Sequence, residues 1–426
     1  MTATAKLLDW QEPACQRTID ILKAGSLCAN LSDAGAGKTY IGIEAVRRMG
    51  LKALVWAPKS SLGAWRRVAE QLDASDVLLD VLNPEKIAPG KTQWFTGGKW
   101  CLPKDAILIC DELHRGASGV DSRQTQVIAL TKAYGIKVMA LSATIASSPL
   151  QMRALGYLAG LHKYTAADYY NWCRRNGAYW ATFGGHGHWD FPKGPKGREL
   201  MVKLHDQLAP MMVRLRIQDI PSFPTTAIQP LLLTLPKRDS AEFMAAYDAL
   251  EIALKKPGVN PMVERLKARQ RTEKFKVPGM IELIEDALEA GNSVVVLVQF
   301  RDTLKQLESK FPWTAQLHGG QTAIERQEAI DKFQSNEVRL ICGTQGAGGL
   351  SVSLHDLDGQ HPRVAFHTPG DRADELRQAF GRVHRTGGTH SVQHIVLAAD
   401  TVEDRVYRNV IAKAGNIDAL VDGDLT

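Results

Sequence analysis

The chain is short of several features that would place it in a class at once. No apolar run approaches the ~18 residues of a membrane-spanning helix, and the start, MTATAKLLDWQEP, has no apolar core of the kind a secretory leader carries. The six cysteines (15, 28, 101, 110, 173 and 342) form no CxxC pair and no metal-finger spacing. Free thiols in a reducing, intracellular compartment are the expectation, with no membrane involvement. His186, His188 and Cys173 lie in one region, but a histidine pair in a glycine-rich loop reads as polar surface, not as a metal centre. Low-complexity linkers and internal repeats are absent too. With 44% hydrophobic and 23% charged residues, the 426-residue chain is neither disordered nor fibrous, and it is long enough for two or three full cores. The excess of 52 basic over 46 acidic residues, +6, permits a polyanionic partner without demanding one.

What is present has a rhythm. LCANLS (27–32), KALVWA (52–57), AILIC (106–110) and IKVMAL (136–141) each precede a turn and a helix-like segment, as parallel α/β strands do. Near residue 150 the pattern gives way to an aromatic- and glycine-rich tract. It resumes with SVVVLV (293–298), VRLIC (338–342), VAFHT (364–368) and VQHIVLA (392–398). The expected organisation is an α/β domain over 1–148, a helical, aromatic-rich insertion over 149–225, and a second α/β domain with a helical lead-in over 226–426.

The first strand runs into SDAGAGKT (32–39). Gly35, Ala36 and Gly37 form a curl whose amides can point at phosphate oxygens, Lys38 can reach the terminal phosphates, and Thr39 can offer a hydroxyl to Mg²⁺. This is a P-loop, which alone fits a kinase, a GTPase or a motor, and it departs from the strict pattern in that Ser32 holds the first glycine position. A third strand ends in DELH, where Asp111 can hold Mg²⁺ and Glu112 can polarise an attacking water. Late in the chain, in LRQAFGRVHRTGG (376–388), Gln378, Arg382 and Arg385 fall at i, i+4 and i+7 of one helix face. Taken alone, that face is either an exposed charged helix or a site for an anion that a guanidinium fork can grip.

The P-loop, DELH, LSAT (141–144) and QAFGRVHR, in that order, give the chain a resemblance to superfamily 2 helicases and translocases over nearly its whole length. LLDWQ (7–11), ALVWAPKSSLGAWRR, HGGQTAIERQEAIDKFQ and GTQGAGGLSVSLHD are similar to elements of the Swi/Snf-like ATPase group. YYNWCRRNG, GHWDFPKG, LHDQLAPMMVRLRI and KFKVPGMIELIEDAL resemble its annealing-helicase-like branch. The resemblance implies two RecA-like α/β domains with a mostly helical insertion between them, in the compact form common in bacteria and bacteriophages. It implies ATP and Mg²⁺ as cofactors, with Trp10, Gln11 and Gln378 at the nucleotide beside the P-loop. His114, Ser142 and Thr144 would couple hydrolysis to movement, and Arg382 and Arg385 would enter the ATP site from the second domain as arginine fingers. Pro58, Lys59, Gln299, Thr344, Gln345 and Gly346 would grip DNA.

The chain departs from the group where SATI has Ala143 and Ile145, where MVRLRI lacks an adjacent arginine pair, and between residues 70 and 105, where no second DNA motif is evident. Nucleosome remodelling is not expected, because no large histone-facing domain accompanies the motifs. The implied activity is a DNA-dependent ATPase, a translocase or helicase on duplex, forked or branched DNA. It would act as a monomer, associated with nucleic acid in the cytoplasm of a bacterial or phage-infected cell, alongside replication or repair proteins. An RNA-dependent ATPase and an ATP-gated DNA-binding protein that recruits a partner without stepping are the rivals.

Two further stretches carry expectations. ERLKARQRTEKFKVPG (264–279) offers Arg269, Arg271, Lys274 and Lys276 as a phosphate track or as a solvated face. AYWATFGGHGHWDFPKGPKG (178–197) reads as a hairpin with Tyr179, Trp180, Phe183, Trp189 and Phe191 around a glycine tip, able either to stack on bases or to cover its own core.

Overall fold

A computed structural model describes residues 5–59, 61–113, 122–143, 145–183, 186–221, 223–254, 260–348, 352–370, 372–385 and 387–422. The chain divides into two compact units. One comprises residues 1–181, 188–221 and 413–426; the other comprises 182–187 and 222–412. Most of the tract expected as an insertion, 149–225, thus falls in the first unit.

In the first unit the strands are β1 (Leu27–Asn30), β2 (Lys52–Trp56), β3 (Leu78–Leu82), the short hairpin β4 (Phe95–Thr96) and β5 (Lys99–Trp100), β6 (Ala106–Asp111), β7 (Lys137–Leu141) and β10 (Met212–Val213), while the paired β8 (Tyr179–Phe183) and β9 (His186–Asp190) are divided, residues 182–187 being assigned to the second unit. Six of them form a parallel sheet in the order β10-β1-β7-β6-β2-β3. Parallel strands covered on both faces read as continuous apolar runs, which is why AILIC and KALVW are buried along almost their whole length. Ile41, Val46, Trp65, Val68, Ile107, Ile109, Met139 and Leu141 belong to the core that the sheet shares with its helices.

The second unit contains β11 (Thr226–Leu233), β12 (Ser293–Val298), β13 (Ala315–Leu317), β14 (Leu340–Thr344), β15 (Arg363–His367) and β16 (Ser391–Ala398). These also form a parallel sheet, in the order β11-β16-β15-β12-β14-β13. The molecule therefore has two parallel-sheet α/β domains of the RecA-like kind, as the sequence implied. The helix Ala323–Gln334 begins with a capping box in which Glu325 N–H donates to Thr322 Oγ1 (3.2 Å) and Thr322 N–H donates to Glu325 Oε2 (2.7 Å).

One buried ion pair fastens the helical lead-in to the second sheet. Lys276, 1% exposed, donates from Nζ to Glu403 Oε1 (2.8 Å) and Oε2 (3.0 Å) and to the carbonyl of Val396 in β16 (3.3 Å). Lys276 therefore holds the fold together instead of tracking phosphates. Removing one partner strands a buried charge, so Glu403→Ala is expected to destabilise this unit by about 3–5 kcal/mol. Chemical denaturation checks this, and a loss under about 1 kcal/mol would show that the pair is not isolated from water.

Candidate ATP site and nucleic-acid contacts

Because all six strands of the first sheet run the same way, the segments after β1, β2, β6 and β7 leave from one edge. The P-loop comes directly after β1 and opens the helix Lys38–Arg48. Gly35 (φ 87°) and Gly37 (φ 72°) adopt left-handed backbone, which lets the loop curl back before the helix starts. A Cβ on Gly37 would lie 2.0 Å from Gln11 Nε2, so the side-chain amide of Gln11 is pressed against the loop. Gln11 is itself buried, and its Oε1 accepts from Leu8 N–H (3.0 Å). Trp10 is half-buried beside it. Of the two residues implied at the adenine, Gln11 thus lies against the loop.

Ser32, the departure from the glycine pattern, has a definite task. Its Oγ donates to Asn30 Oδ1 (2.6 Å) and accepts from Leu215 N–H (3.0 Å), tying the loop to β1 and to the segment after β10. Lys38 Nζ donates to the carbonyls of Ser32 (2.7 Å) and Asp33 (2.9 Å), spanning the mouth of the loop. Burial lowers the Lys38 pKa, and the carboxylates of Glu112 and Asp111 oppose that shift. The three groups therefore feel one another's charge.

Asp111 closes β6 and accepts at Oδ2 from Trp65 Nε1–H (3.0 Å). Burial first, then the neighbouring Glu112, push its carboxyl up to about 6, against the pull of Trp65, Lys38 and Ser61. A divalent cation beside Asp111 would relieve both causes, and the Asp111 carboxylate with the Thr39 hydroxyl is the oxygen donor set that Mg²⁺ prefers. Glu112 has φ 54°, a left-handed backbone that is strained for this residue type, and its N–H is held by the carbonyl of Leu141 (2.8 Å). Ser142, after β7, is fully buried, and its N–H donates to the carbonyl of Asn30 (3.2 Å). The coupling candidates His114 and Thr144 lie outside the described residues.

In the second unit, Gln378, Arg382 and Arg385 lie on and just past the helix Ala373–Val383. An exposed charged helix is not what is found: Arg382 is 1% exposed, Gln378 is buried and Arg385 is half-buried. The carbonyl of Arg382 accepts from Leu354 N–H (2.9 Å), and Arg385 Nε donates to the carbonyl of Gly381 (2.9 Å).

The expected DNA contacts divide. Lys59 is exposed after β2, with Pro58 half-buried before it. Gln299, Thr344 and Gln345 meet where β12, β14 and β15 end. Gln299 Nε2 donates to Gln345 Oε1 (2.5 Å), and Gln345 Nε2 donates to the carbonyl of Thr368 (2.7 Å). Gln345 is 1% exposed, so its side chain braces this edge, whereas Gly346 is exposed. Arg269 Nη2 donates to the carbonyl of Pro369 (2.8 Å), which carries the basic helix to the same edge. Glu273, buried next to Lys274, accepts from Gln299 N–H (2.8 Å), Phe300 N–H (3.1 Å) and Thr303 Oγ1 (2.6 Å), and so ties the basic helix to the start of the helix Arg301–Lys310. Arg271 and Lys274 are exposed.

Strands β8 and β9 pair, and their aromatics divide between packed and exposed. Trp189 stacks on Tyr170 (5.2 Å between centroids, 10° between planes), and Phe191 is buried in the first unit. Trp180 meets Trp189 edge-on (5.6 Å) and stays 59% exposed. Residues 184–185 of the tip lie outside the described residues.

Comparison with known proteins finds similarity to helicases. Residues 276–387 match the family described as helicase conserved C-terminal domain. The chain is also 29% identical over 463 aligned residues to a protein of Acanthamoeba polyphaga mimivirus named an ATP-dependent RNA helicase, covering 99% of this chain and 85% of that one. It is 28% identical over 177 residues to the DNA repair and recombination protein RAD54B of Mus musculus, covering 39% of this chain and 19% of that one. Over 138 residues it is 29% identical to the chromatin remodeling factor mit1 of Schizosaccharomyces pombe, covering 31% of this chain and 9% of that one. The chain therefore spans most of the viral relative and under a fifth of the other two. Together these matches support a helicase-type, ATP-dependent enzyme acting on nucleic acid.

Two outcomes are expected of the helicase-type chain. Lys38→Ala should weaken fluorescent-nucleotide binding and abolish phosphate release, while Glu112→Gln binds ATP and stalls; ordinary turnover in Glu112→Gln would remove that residue from the chemistry. If Arg271 and Lys274 contact phosphates, alanine at either is expected to flatten the log–log salt dependence of duplex binding by about 0.9. An unchanged slope returns them to a solvated face.

Proposed function

We propose that the chain is an ATP-dependent DNA translocase or helicase that moves on, or remodels, duplex, forked or branched DNA. The observation that carries this reading is the single edge of the first sheet, where the P-loop, Lys38, Asp111 and strained Glu112 share one electrostatic environment. That is the equipment for hydrolysing a nucleoside triphosphate. Mg²⁺, held by Asp111 and Thr39, would neutralise charge on the phosphates. Lys38 leaves the loop carbonyls for the terminal phosphates, and Glu112 orients the attacking water. Arg382 and Arg385 stabilise charge on the transferring phosphoryl group. Exposed Lys59 and Gly346, each after a strand of its own sheet, are the proposed backbone grips, and hydrolysis coupled to their movement yields stepping.

The preference for DNA rests on the resemblance to Swi/Snf-like ATPases and on the similarity to a DNA repair and recombination protein. The second reading, an RNA-dependent ATPase, is favoured by the near-full-length similarity to a viral protein named an RNA helicase. ATPase rates on single-stranded, duplex and forked DNA and on single-stranded RNA separate the two. The expected result is strongest stimulation by DNA containing duplex, and equal or greater stimulation by RNA overturns the DNA assignment. In the same assay Arg382→Ala is expected to retain ATP binding while turnover falls by about 10³-fold. Wild-type turnover in that variant would remove Arg382 from catalysis.

A further inference from the structure

The P-loop is tied to the last turn of the chain's final helix by residues that ATP chemistry does not itself use. Arg214, in the segment after β10, spreads its guanidinium between two carboxylates. Nη1 donates to Asp33 Oδ1 in the P-loop (2.6 Å) and to the carbonyl of Leu31 (2.9 Å). The opposite edge of the same fork, Nε and Nη2, donates to Asp422 Oδ1 (2.7 Å) and Oδ2 (3.2 Å). Arg216 Nε reaches the same Asp422 Oδ1 (3.0 Å), so two arginines separated by Leu215 converge on one carboxylate. The side chains of Asp33, Arg214 and Asp422 are 21%, 16% and 14% exposed, which keeps solvent screening low.

Asp33 is the pivot. Its Oδ2 accepts from Ile217 N–H (2.9 Å), its N–H donates to the carbonyl of Leu215 (3.0 Å), and its own carbonyl accepts from Lys38 Nζ (2.9 Å). A continuous series of contacts thus runs from Asp422 through Arg214 to the Asp33 carboxylate and, by the backbone carbonyl of Asp33, to Lys38. The end of the helix Glu403–Asp422 is seated in a socket made for it within the first unit. Ile417, Leu420 and Val421 are buried, Asn416 Nδ2 donates to the carbonyl of Pro192 (3.1 Å), and the carbonyl of Leu420 meets His205 Nδ1 (2.8 Å). A Cβ on Gly197 would lie 2.2 Å from the Pro192 carbonyl oxygen that Asn416 bonds, and 2.8 Å from the Asn416 amide, so glycine is what leaves room for this contact.

We propose that Asp422 is a positioning residue for the P-loop, acting through Arg214, so that the docked end of the final helix sets the affinity for ATP. This rests on the reading of residues 32–39 as the nucleotide site. Without Asp422, one edge of a partly buried fork has lost its anion. The nearest remaining carboxylate is Asp33. Turning onto it bidentately pulls Asp33 away from Ile217 N–H and shifts the carbonyl that holds Lys38. Neither Asp422 nor Arg214 touches the reacting atoms, so the effect belongs to nucleotide affinity and not to the chemical step.

The test titrates fluorescent ATP onto the full chain and measures turnover at saturating ATP. Asp422→Asn, which keeps the shape and removes the charge, is expected to weaken ATP binding by roughly tenfold while saturated turnover stays within about threefold of wild type. Arg214→Lys, which keeps the charge and loses the fork, is expected to do the same, and combining the two is expected to cost less than the product of the single effects. Arg216→Ala leaves the Arg214–Asp422 pair in place and is expected to bind ATP within about twofold of wild type; it also serves if Asp422→Asn does not fold, since a tenfold loss there would overturn the assignment to Arg214. Unchanged affinity in Asp422→Asn, or strictly multiplicative effects in the double variant, would overturn the proposal. Lys38→Ala in the same titration keeps the outcomes apart: if it too leaves binding intact, the nucleotide-site reading itself has failed.

Discussion

Parallelism of the first sheet is the constraint on which the rest depends. An antiparallel arrangement would send successive loops to opposite ends. Here β1, β7, β6 and β2 lie side by side and point the same way, so the segment after each strand emerges at one edge. Residues as distant in sequence as Lys38, Asp111 and Ser142 are thereby brought to the same edge. The register fixes it closely: Asp111 pairs with Leu141, whose carbonyl then holds the strained amide of Glu112.

Gathering a lysine and two carboxylates at that edge has an electrostatic consequence. Burial depresses the lysine and raises Asp111, and each is partly restored by the other. Such a cluster is poised for a ligand that brings both negative oxygens and a divalent cation, because the pair satisfies both shifts at once. Trp65 holds Asp111 from the helix after β2, so the acid's orientation depends on the same sheet. In the second unit the corresponding edge is braced by neutral amides and by Glu273.

Much of this was legible in the sequence, and the exceptions have physical causes. Every strand read from a continuous apolar run is present, because burial on both faces removes the polar positions that would blur the signal. The strands missed were peripheral. β11 carries Pro230, β13 is three residues long, β10 is two, and β3 lies at the edge of the first sheet with only partial burial. The P-loop was readable because its chemistry demands local glycines and a lysine. The use of Ser32 as an anchor was not, because its partner Leu215 lies 183 residues away. Charge runs misled most: among the cations of 264–279, Lys276 is buried against Glu403 and Arg269 reaches the carbonyl of Pro369, while Arg271 and Lys274 alone of the four proposed contacts remain exposed. Composition cannot distinguish a solvated lysine from one whose partner arrives 127 residues later.

The proposed function stands or falls on whether ATP hydrolysis at the first sheet's edge drives movement along DNA. Displacement of a fluorescent third strand from a DNA triplex measures that movement without requiring the duplex to open. The expected result is displacement that needs hydrolysable ATP, stops with Glu112→Gln, and persists when the flanking DNA is duplex. ATP hydrolysis that DNA stimulates but that never displaces the third strand would contradict it.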